Sequence, residues 1–228
     1  MGVSYFITGT DTGVGKTLVS CALLHGLAAQ GKRVVGFKPV AAGCDDADHN
    51  ADALALRAAS NVQASYGQIN PYCFALAIAP HLAARHSGVA IDFMRILASY
   101  RELAAQADEV IVEGVGGFCV PLNAQQDSAD LAAELGLPVI LVVGMRLGCL
   151  NHALLTLRAI AERELECAGW VANVLDDSMS ALQENIGALR ERIKAPLLGV
   201  VHFMQAPDAK EAAQLLDLSL LESTPANE

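Results

Sequence analysis

Gly9-Thr-Asp-Thr-Gly-Val-Gly15-Lys16-Thr17 is the segment of the chain with the most definite chemistry. It follows the apolar run Tyr5-Phe6-Ile7 and leads into Leu18-Val19-Ser20-Cys21-Ala22-Leu23-Leu24, whose apolar spacing is helical. A strand, a glycine-rich turn and a helix beginning at Lys-Thr wrap backbone N–H groups around phosphates. In that arrangement Lys16 reaches the β- and γ-phosphates and the Thr17 hydroxyl ligates magnesium. The spacing is G-x5-G-K-T, one residue longer than the strict G-x4-G-K-[ST] pattern, because Thr10 stands where the first glycine belongs. Gly13 and Gly15 can take positive φ, so the longer loop can still present its amides to phosphate.

Other charged or polar residues end apolar runs. Lys38 follows Val34–Phe37 and precedes Pro39, and a lysine ending a buried strand needs an anionic partner. A phosphate or carboxylate would supply one. Glu113 closes Glu109-Val-Ile-Val-Glu113 and is followed by Gly114-Val115-Gly116-Gly117, the place where phosphate-loop enzymes set an acid near magnesium. A plain surface carboxylate at a strand end is the other reading. Asp52, in Asn50-Ala-Asp-Ala-Leu-Ala-Leu56, looks locally like the N-cap of an apolar helix as much as a metal ligand. Asn173 and His202 stand at the ends of two later runs. His81, His86 and His152 are scattered and read as surface or capping residues.

The elements that must position these residues are continuous apolar strands at Tyr5–Thr8, Val34–Lys38, Glu109–Glu113, Val139–Val143, Gly169–Asn173 and Leu197–Val201. Helical patterns fall between them at Thr17–Gln30, Asp52–Ala59, Asp92–Gln106, Ser128–Leu135, Leu150–Arg163 and Ser180–Ile193. Runs apolar on both faces mark strands covered by helices on both sides. The pattern predicts an α/β fold: one doubly wound, mostly parallel sheet with the phosphate loop after strand one. In such sheets ligands gather at the carboxyl ends of the strands, where Lys38, Glu113, Asn173 and His202 stand. Asp45–Asn50 is acidic and loop-like, and Ser60–Pro80 is weakly patterned; both are candidates for excursions over the site. With no repeat or linker, the organisation is one domain over residues 1–221 and a frayed tail at Glu222–Glu228.

At 228 residues, with 53% hydrophobic and 18% charged residues, the chain can fill a large core. A net charge of −10 argues against nucleic acid or an anionic membrane as partner. The most apolar run, Leu137–Val143, is too short to span a bilayer, and Met1-Gly-Val-Ser has no signal-peptide pattern. Six cysteines without a C-x-x-C pair read as reduced thiols, and a cytoplasmic location is expected.

Taken in order, Gly9–Thr17, Lys38-Pro-Val-Ala-Ala-Gly43, Asp52-Ala-Leu-Ala-Leu56, Asn70-Pro-Tyr72, Val112-Glu-Gly-Val-Gly-Gly117, Leu147-Gly-Cys-Leu-Asn-His152 and Gly169-Trp-Val-Ala-Asn173 resemble the dethiobiotin synthetases through nearly the whole chain. The resemblance implies an ATP- and magnesium-dependent ligase that closes the ureido ring of dethiobiotin from 7,8-diaminopelargonic acid and carbon dioxide. It implies a carbamate, then a carbamic–phosphoric anhydride, as intermediates. Lys16 and Lys38 would be catalytic, and Thr17, Asp52 and Glu113 would hold magnesium. ATP would lie against Gly13, Val14, Gly15, Leu18, Gly114, Val115, Gly116, Asn173, Val174, His202, Phe203 and Met204, with the Asn173 amide reading adenine. Thr12, Lys38 and Ala42 would face the diamine. Gly148, Cys149, Leu150 and Asn151 would offer N–H groups to its carboxylate from a second copy, which implies a homodimer. Ala42 stands where many members have serine, His202 where proline is usual, and Gly13 where some carry an acid.

Two other readings share the phosphate loop. A dimeric switch ATPase of the partitioning or metallocentre-assembly type usually has an extra lysine early in the loop, where this chain has Thr10-Asp11-Thr12. A small-molecule kinase would phosphorylate a carboxylate or hydroxyl without closing a ring.

Overall fold

The computed structural model describes residues 3–45 and 49–222. Its core is a six-stranded sheet of β1 (Tyr5–Gly9), β2 (Val34–Phe37), β5 (Glu109–Glu113), β6 (Val139–Met145), β7 (Cys167–Val174) and β8 (Leu197–Val201). The spatial order is β2-β5-β1-β6-β7-β8, and every pairing is parallel. All but the edge strand β8 are buried almost end to end, since helices cover both faces. Each fully buried Leu, Ile or Val contributes about 1.5–3 kcal/mol relative to exposure, so this sheet is a rigid platform.

On one face, α1 (Lys16–Ala29) and α2 (Ala51–Ala59) pack on β1 and β2 in a cluster that includes Ile7, Leu23, Leu24, Leu56 and Ile111. Gly36 of β2 lets these helices approach closely: a Cβ there would come within 2.7 Å of the Leu56 Cβ. The other face is covered by α5 (Phe93–Ala104), α6 (Ser128–Leu135) and α7 (Cys149–Glu162), around Phe6, Phe37, Ile96 and Val112. α8 (Leu182–Arg192) closes the far end over Trp170, which is fully buried.

A second, two-stranded parallel sheet pairs β3 (Val40–Ala42) with β4 (Tyr72–Phe74) beyond the carboxyl end of β2. These strands, α3 (Tyr66–Ile69) and α4 (Pro80–His86) give structure to a stretch whose sequence pattern is weak. The register Ala41↔Cys73 sets two cysteines 29 residues apart in sequence side by side. Cys44 and Cys73 form a disulfide with Cα atoms 6.2 Å apart, which corrects the expectation that all six cysteines are reduced. Cys21, Cys119, Cys149 and Cys167 are free thiols.

Two short helices, α9 (Ala209–Gln214) and α10 (Ser219–Glu222), return the chain to α1. Glu222 lies in α10, and the rest of the expected tail lies outside the described residues, as do residues 46–48 of the acidic loop. No helix among the described residues is long and apolar enough to cross a membrane.

Candidate active site

Register decides which residues meet. Ile7 of β1 lies level with Glu113 of β5, and Phe37 of β2 lies level with Val112. Lys38, the next residue, therefore emerges beside Glu113, and the phosphate loop leaves β1 one strand away. The loop turns back on itself through Gly13 and Gly15, at φ +72° and +89°. Gly15 is required twice over, because a Cβ there would lie 2.1 Å from the Asn173 Nδ2. Gly15 is also the N-cap of α1 and has no side chain to satisfy the first amides of the helix, an arrangement that suits an anion.

The two lysines sit in different electrostatic settings. Lys16 is 7% exposed and donates from Nζ to the Asp11 carbonyl at 3.0 Å. Burial, with the nearby Lys38 charge, pulls its pKa down to about 8 against the counter-pull of Glu113, Asp52 and Asp11. Lys38 is 3% exposed and donates to Glu113 Oε1 at 2.6 Å, to the Gly114 carbonyl at 3.2 Å, and pairs with Asp52 Oδ2 at 3.2 Å. Burial alone would depress its ammonium, but the charges of Glu113 and Asp52 outweigh that and hold its pKa above the ordinary value. Burial would raise the Asp52 carboxyl; Lys38, a Thr17 hydrogen bond and Lys16 hold it below the ordinary value instead.

Asp52 is not the N-cap of α2. Asn50 is, its Oδ1 accepting from the Asp52 and Ala53 amides at 3.1 and 3.3 Å. The cap lies two residues before Asp52, which frees the Asp52 carboxylate to face Lys38.

The Thr17 hydroxyl donates to Glu113 Oε1 at 2.9 Å, and Glu113 Oε2 is buried with no hydrogen-bond partner. Thr17, Asp52 and Glu113 thus offer one hydroxyl and two carboxylates on one wall. Among the described residues no group of three or more His, Cys, Asp or Glu side chains forms a closed metal cage. A sparse, hard-oxygen set with an unsatisfied buried carboxylate oxygen fits a divalent cation that keeps waters and phosphate oxygens as its other ligands.

These groups line a cavity of about 330 Å³, together with Thr12, Gly13, Gly15, Ala41, Ala42, Asn50, Val115 and Gly116. Of the other predicted site residues, Val14 is fully buried, so only its backbone can face phosphate, and Leu18 packs against the core. Gly114 follows β5 and donates its N–H to the Ile7 carbonyl at 2.9 Å. Asn173 is 5% exposed and donates from Nδ2 to the Val14 carbonyl at 2.8 Å, so its amide braces the phosphate loop. Val174 ends β7 beside it. His202 and Phe203 are exposed after β8, and Met204 packs partly on the core. Gly148, Cys149, Leu150 and Asn151 start α7, with Gly148 its N-cap at φ +94°, and do not line the cavity.

The structure adds residues that sequence reasoning passes over. Asn50 and Ala41 line the cavity, and Arg146 forms an ion pair with Asp11 of the phosphate loop. Asn50 carries a sequence signal, an amide side chain directly before a helical run. Arg146 does not, because its partner is 135 residues away.

Comparisons with known proteins identify relatives of this chain. A family model described as an AAA domain matches residues 3–210. The ATP-dependent dethiobiotin synthetase BioD of Nitrosospira multiformis is 53% identical over 219 residues, covering 96% of each chain. That of Aromatoleum aromaticum is 56% identical over 216 residues, covering 93% of this chain and 96% of the relative. The Xanthomonas oryzae enzyme is 50% identical over 220 residues, 95% of this chain and 97% of its own. Among solved structures, MinD of Aquifex aeolicus superposes with a TM-score of 0.57 over 100% of both chains at 13% identity. A plasmid partition protein of Borrelia burgdorferi gives 0.55 at 10% identity, over 97% of this chain and 96% of that one. The solved structures thus share the fold alone, whereas the sequence relatives span nearly the whole chain at 50–56% identity: it belongs to the ATP-dependent dethiobiotin synthetase family.

Proposed function

We propose that this chain closes the ureido ring of dethiobiotin from 7,8-diaminopelargonic acid, carbon dioxide and ATP, with magnesium as the cation. The observation that carries the reading is the shared cavity, in which the phosphate loop and Lys16 face Lys38, Asp52 and Glu113. Its volume of about 330 Å³ lies at the small end of ligand sites, suited to a phosphate chain beside a compact diamine head.

The steps balance as follows. One amine adds to carbon dioxide and loses a proton, giving a carbamate. A carbamate oxygen attacks the γ-phosphorus, the bond to ADP breaks, and a carbamic–phosphoric anhydride forms. The second amine attacks the carbonyl carbon, loses a proton and expels phosphate with that same oxygen. Little covalent work falls to the protein, so positioning and charge stabilisation dominate.

Lys38 stays cationic through Glu113 and Asp52, and it favours the carbamate and the charge spreading over the γ-phosphoryl oxygens. Lys16 gains its full charge when phosphate enters. Thr17, Asp52 and Glu113 would hold magnesium, which neutralises phosphate charge. The Asn173 amide, with Val174 and His202–Met204, forms the adenine side, and Thr12 and Ala42 border the diamine.

Gly148–Asn151 serve the cavity of a second copy, which makes the enzyme a homodimer. Leu147 supports this, since it stands beside that turn 99% exposed, an apolar side chain suited to burial against a partner. The cytoplasm, where all the substrates are small and soluble, is the setting that goes with this reading.

The test is product stoichiometry. ADP release should rise strongly only with diamine and bicarbonate both present, and dethiobiotin should form in equal amount. ADP release that is stimulated by DNA, or that ignores the diamine, would instead mark a switch ATPase.

A further inference from the structure

Behind the charged cluster runs a chain of hydrogen bonds that links the backbones of two of its members, Asp52 and Lys38. The Asp52 amide donates to Asn50 Oδ1 at 3.1 Å, and the Asn50 amide donates to the Tyr66 Oη at 2.7 Å. The Tyr66 hydroxyl donates to Asn70 Oδ1 at 2.9 Å. Asn70 Nδ2 in turn donates to the Lys38 carbonyl at 2.6 Å and to the Tyr72 carbonyl at 3.0 Å. A hydroxyl has one proton and two lone pairs, so Tyr66 can give to Asn70 and accept from Asn50 at once. The chain begins at Asp52 and ends at Lys38, whose charged groups are 3.2 Å apart on the cavity side.

Asn50 and Asn70 are 7% and 4% exposed, so water cannot readily take over these bonds. Tyr66 opens a helix of only four residues, too short to hold a position by itself. Its ring is placed by the edge contact with His49, centroids 4.4 Å apart, and its hydroxyl lies 3.6 Å from Cys73 Sγ.

We infer that Tyr66 is a positioning residue for the ring-closing reaction: its hydroxyl fixes α2 relative to the β2–β3 turn and so sets the spacing of Asp52 and Lys38. The inference rests on the proposed roles of those two residues. A hydroxyl outside the cavity then controls turnover without touching substrate.

The test is Tyr66→Phe, Asp52→Asn and the double variant, each assayed for kcat, KM for ATP and melting temperature. Tyr66→Phe should remain folded and lose about tenfold or more in kcat, as misplacement of reacting groups does. KM for ATP should change by less than about threefold, since loss of kcat alone marks an interaction outside ground-state binding. The double variant should be no worse than Asp52→Asn alone by more than about twofold, because both changes break the same linkage. Full additivity, a kcat within about threefold of the parent, or a chain unable to fold without the hydroxyl would each overturn the inference. An Asp52→Asn variant with parental kcat would overturn the site assignment itself, and the inference with it.

Discussion

At the carboxyl ends of β2 and β5, Lys38 and Glu113 are buried, Asp52 is half-exposed, and Lys38 pairs with both carboxylates. At the ends of β6 and β8, part of the set assigned to the substrate carboxylate and the base faces outward: Asn151, His202 and Phe203 are exposed, as is Leu147 beside them. The first region is assembled within one chain and presents charge already compensated by charge. The second presents uncapped amides and apolar side chains, and on the proposed function it is completed by ligand or by a second copy. On that reading chemistry falls to the rigid half, where preorganised charge is effective, and recognition to the half completed from outside.

Lys38→Met tests the rigid half most severely. Losing a preorganised charge contact should lower turnover by about 10²–10³, roughly 3–4 kcal/mol of barrier. Two carboxylates would then face each other without their cation, at a cost of about 3–5 kcal/mol in stability. Nucleotide affinity, set by the phosphate loop, should weaken far less than turnover. Parental turnover in a folded variant would make Lys38 a structural lysine.

A smaller loss is expected from Gly15→Ala, because the added Cβ meets the Asn173 amide at 2.1 Å and the residue keeps φ +89°. Nucleotide affinity by calorimetry should fall by about tenfold to a hundredfold, equivalent to roughly 1.5–3 kcal/mol. Gly13→Ala carries only the strain of positive φ, since nothing lies within 4 Å of its Cβ, and should lose less. Equal losses at the two positions would show that the Asn173 brace is not what shapes the loop.

The smallest effect is a pH dependence. Free Lys16 titrates near 8, below its ordinary 10.5. A bound phosphate raises it again, so nucleotide binding should take up a proton above pH 8. Affinity should then fall with rising pH, by up to about tenfold per unit. Folding stability runs the other way: the unfolded chain binds more protons between about 8 and 10.5, so the contribution of Lys16 to stability improves with pH there. Calorimetry in buffers of different ionisation enthalpy reads the proton uptake directly. No uptake at pH 9 would assign the phosphate contact elsewhere.

The same contrast explains what the sequence makes legible. Continuous apolar runs mark every strand of the main sheet to within three residues, because burial on both faces leaves no choice of composition. Lys38 and Glu113 are readable since each ends such a run. The three-residue strands β3 and β4 carry too few residues for any periodicity, and their pairing appears only in three dimensions. The disulfide between Cys44 and Cys73 depends on that pairing and is invisible for the same reason. Asp52 is ambiguous locally because Asn50 and Asp52 are both good caps; only the approach of Lys38 separates their roles.

The central claim is that ATP activates a carbamate within the Lys38–Asp52–Glu113 cavity, and oxygen tracing tests it most directly. With ¹⁸O-labelled carbon dioxide supplied over a time too short for exchange with water, each phosphate released should carry one labelled oxygen from the carbamate. Unlabelled phosphate, formed in step with dethiobiotin, would mean that water and not the carbamate accepts the γ-phosphoryl group, and would contradict the account.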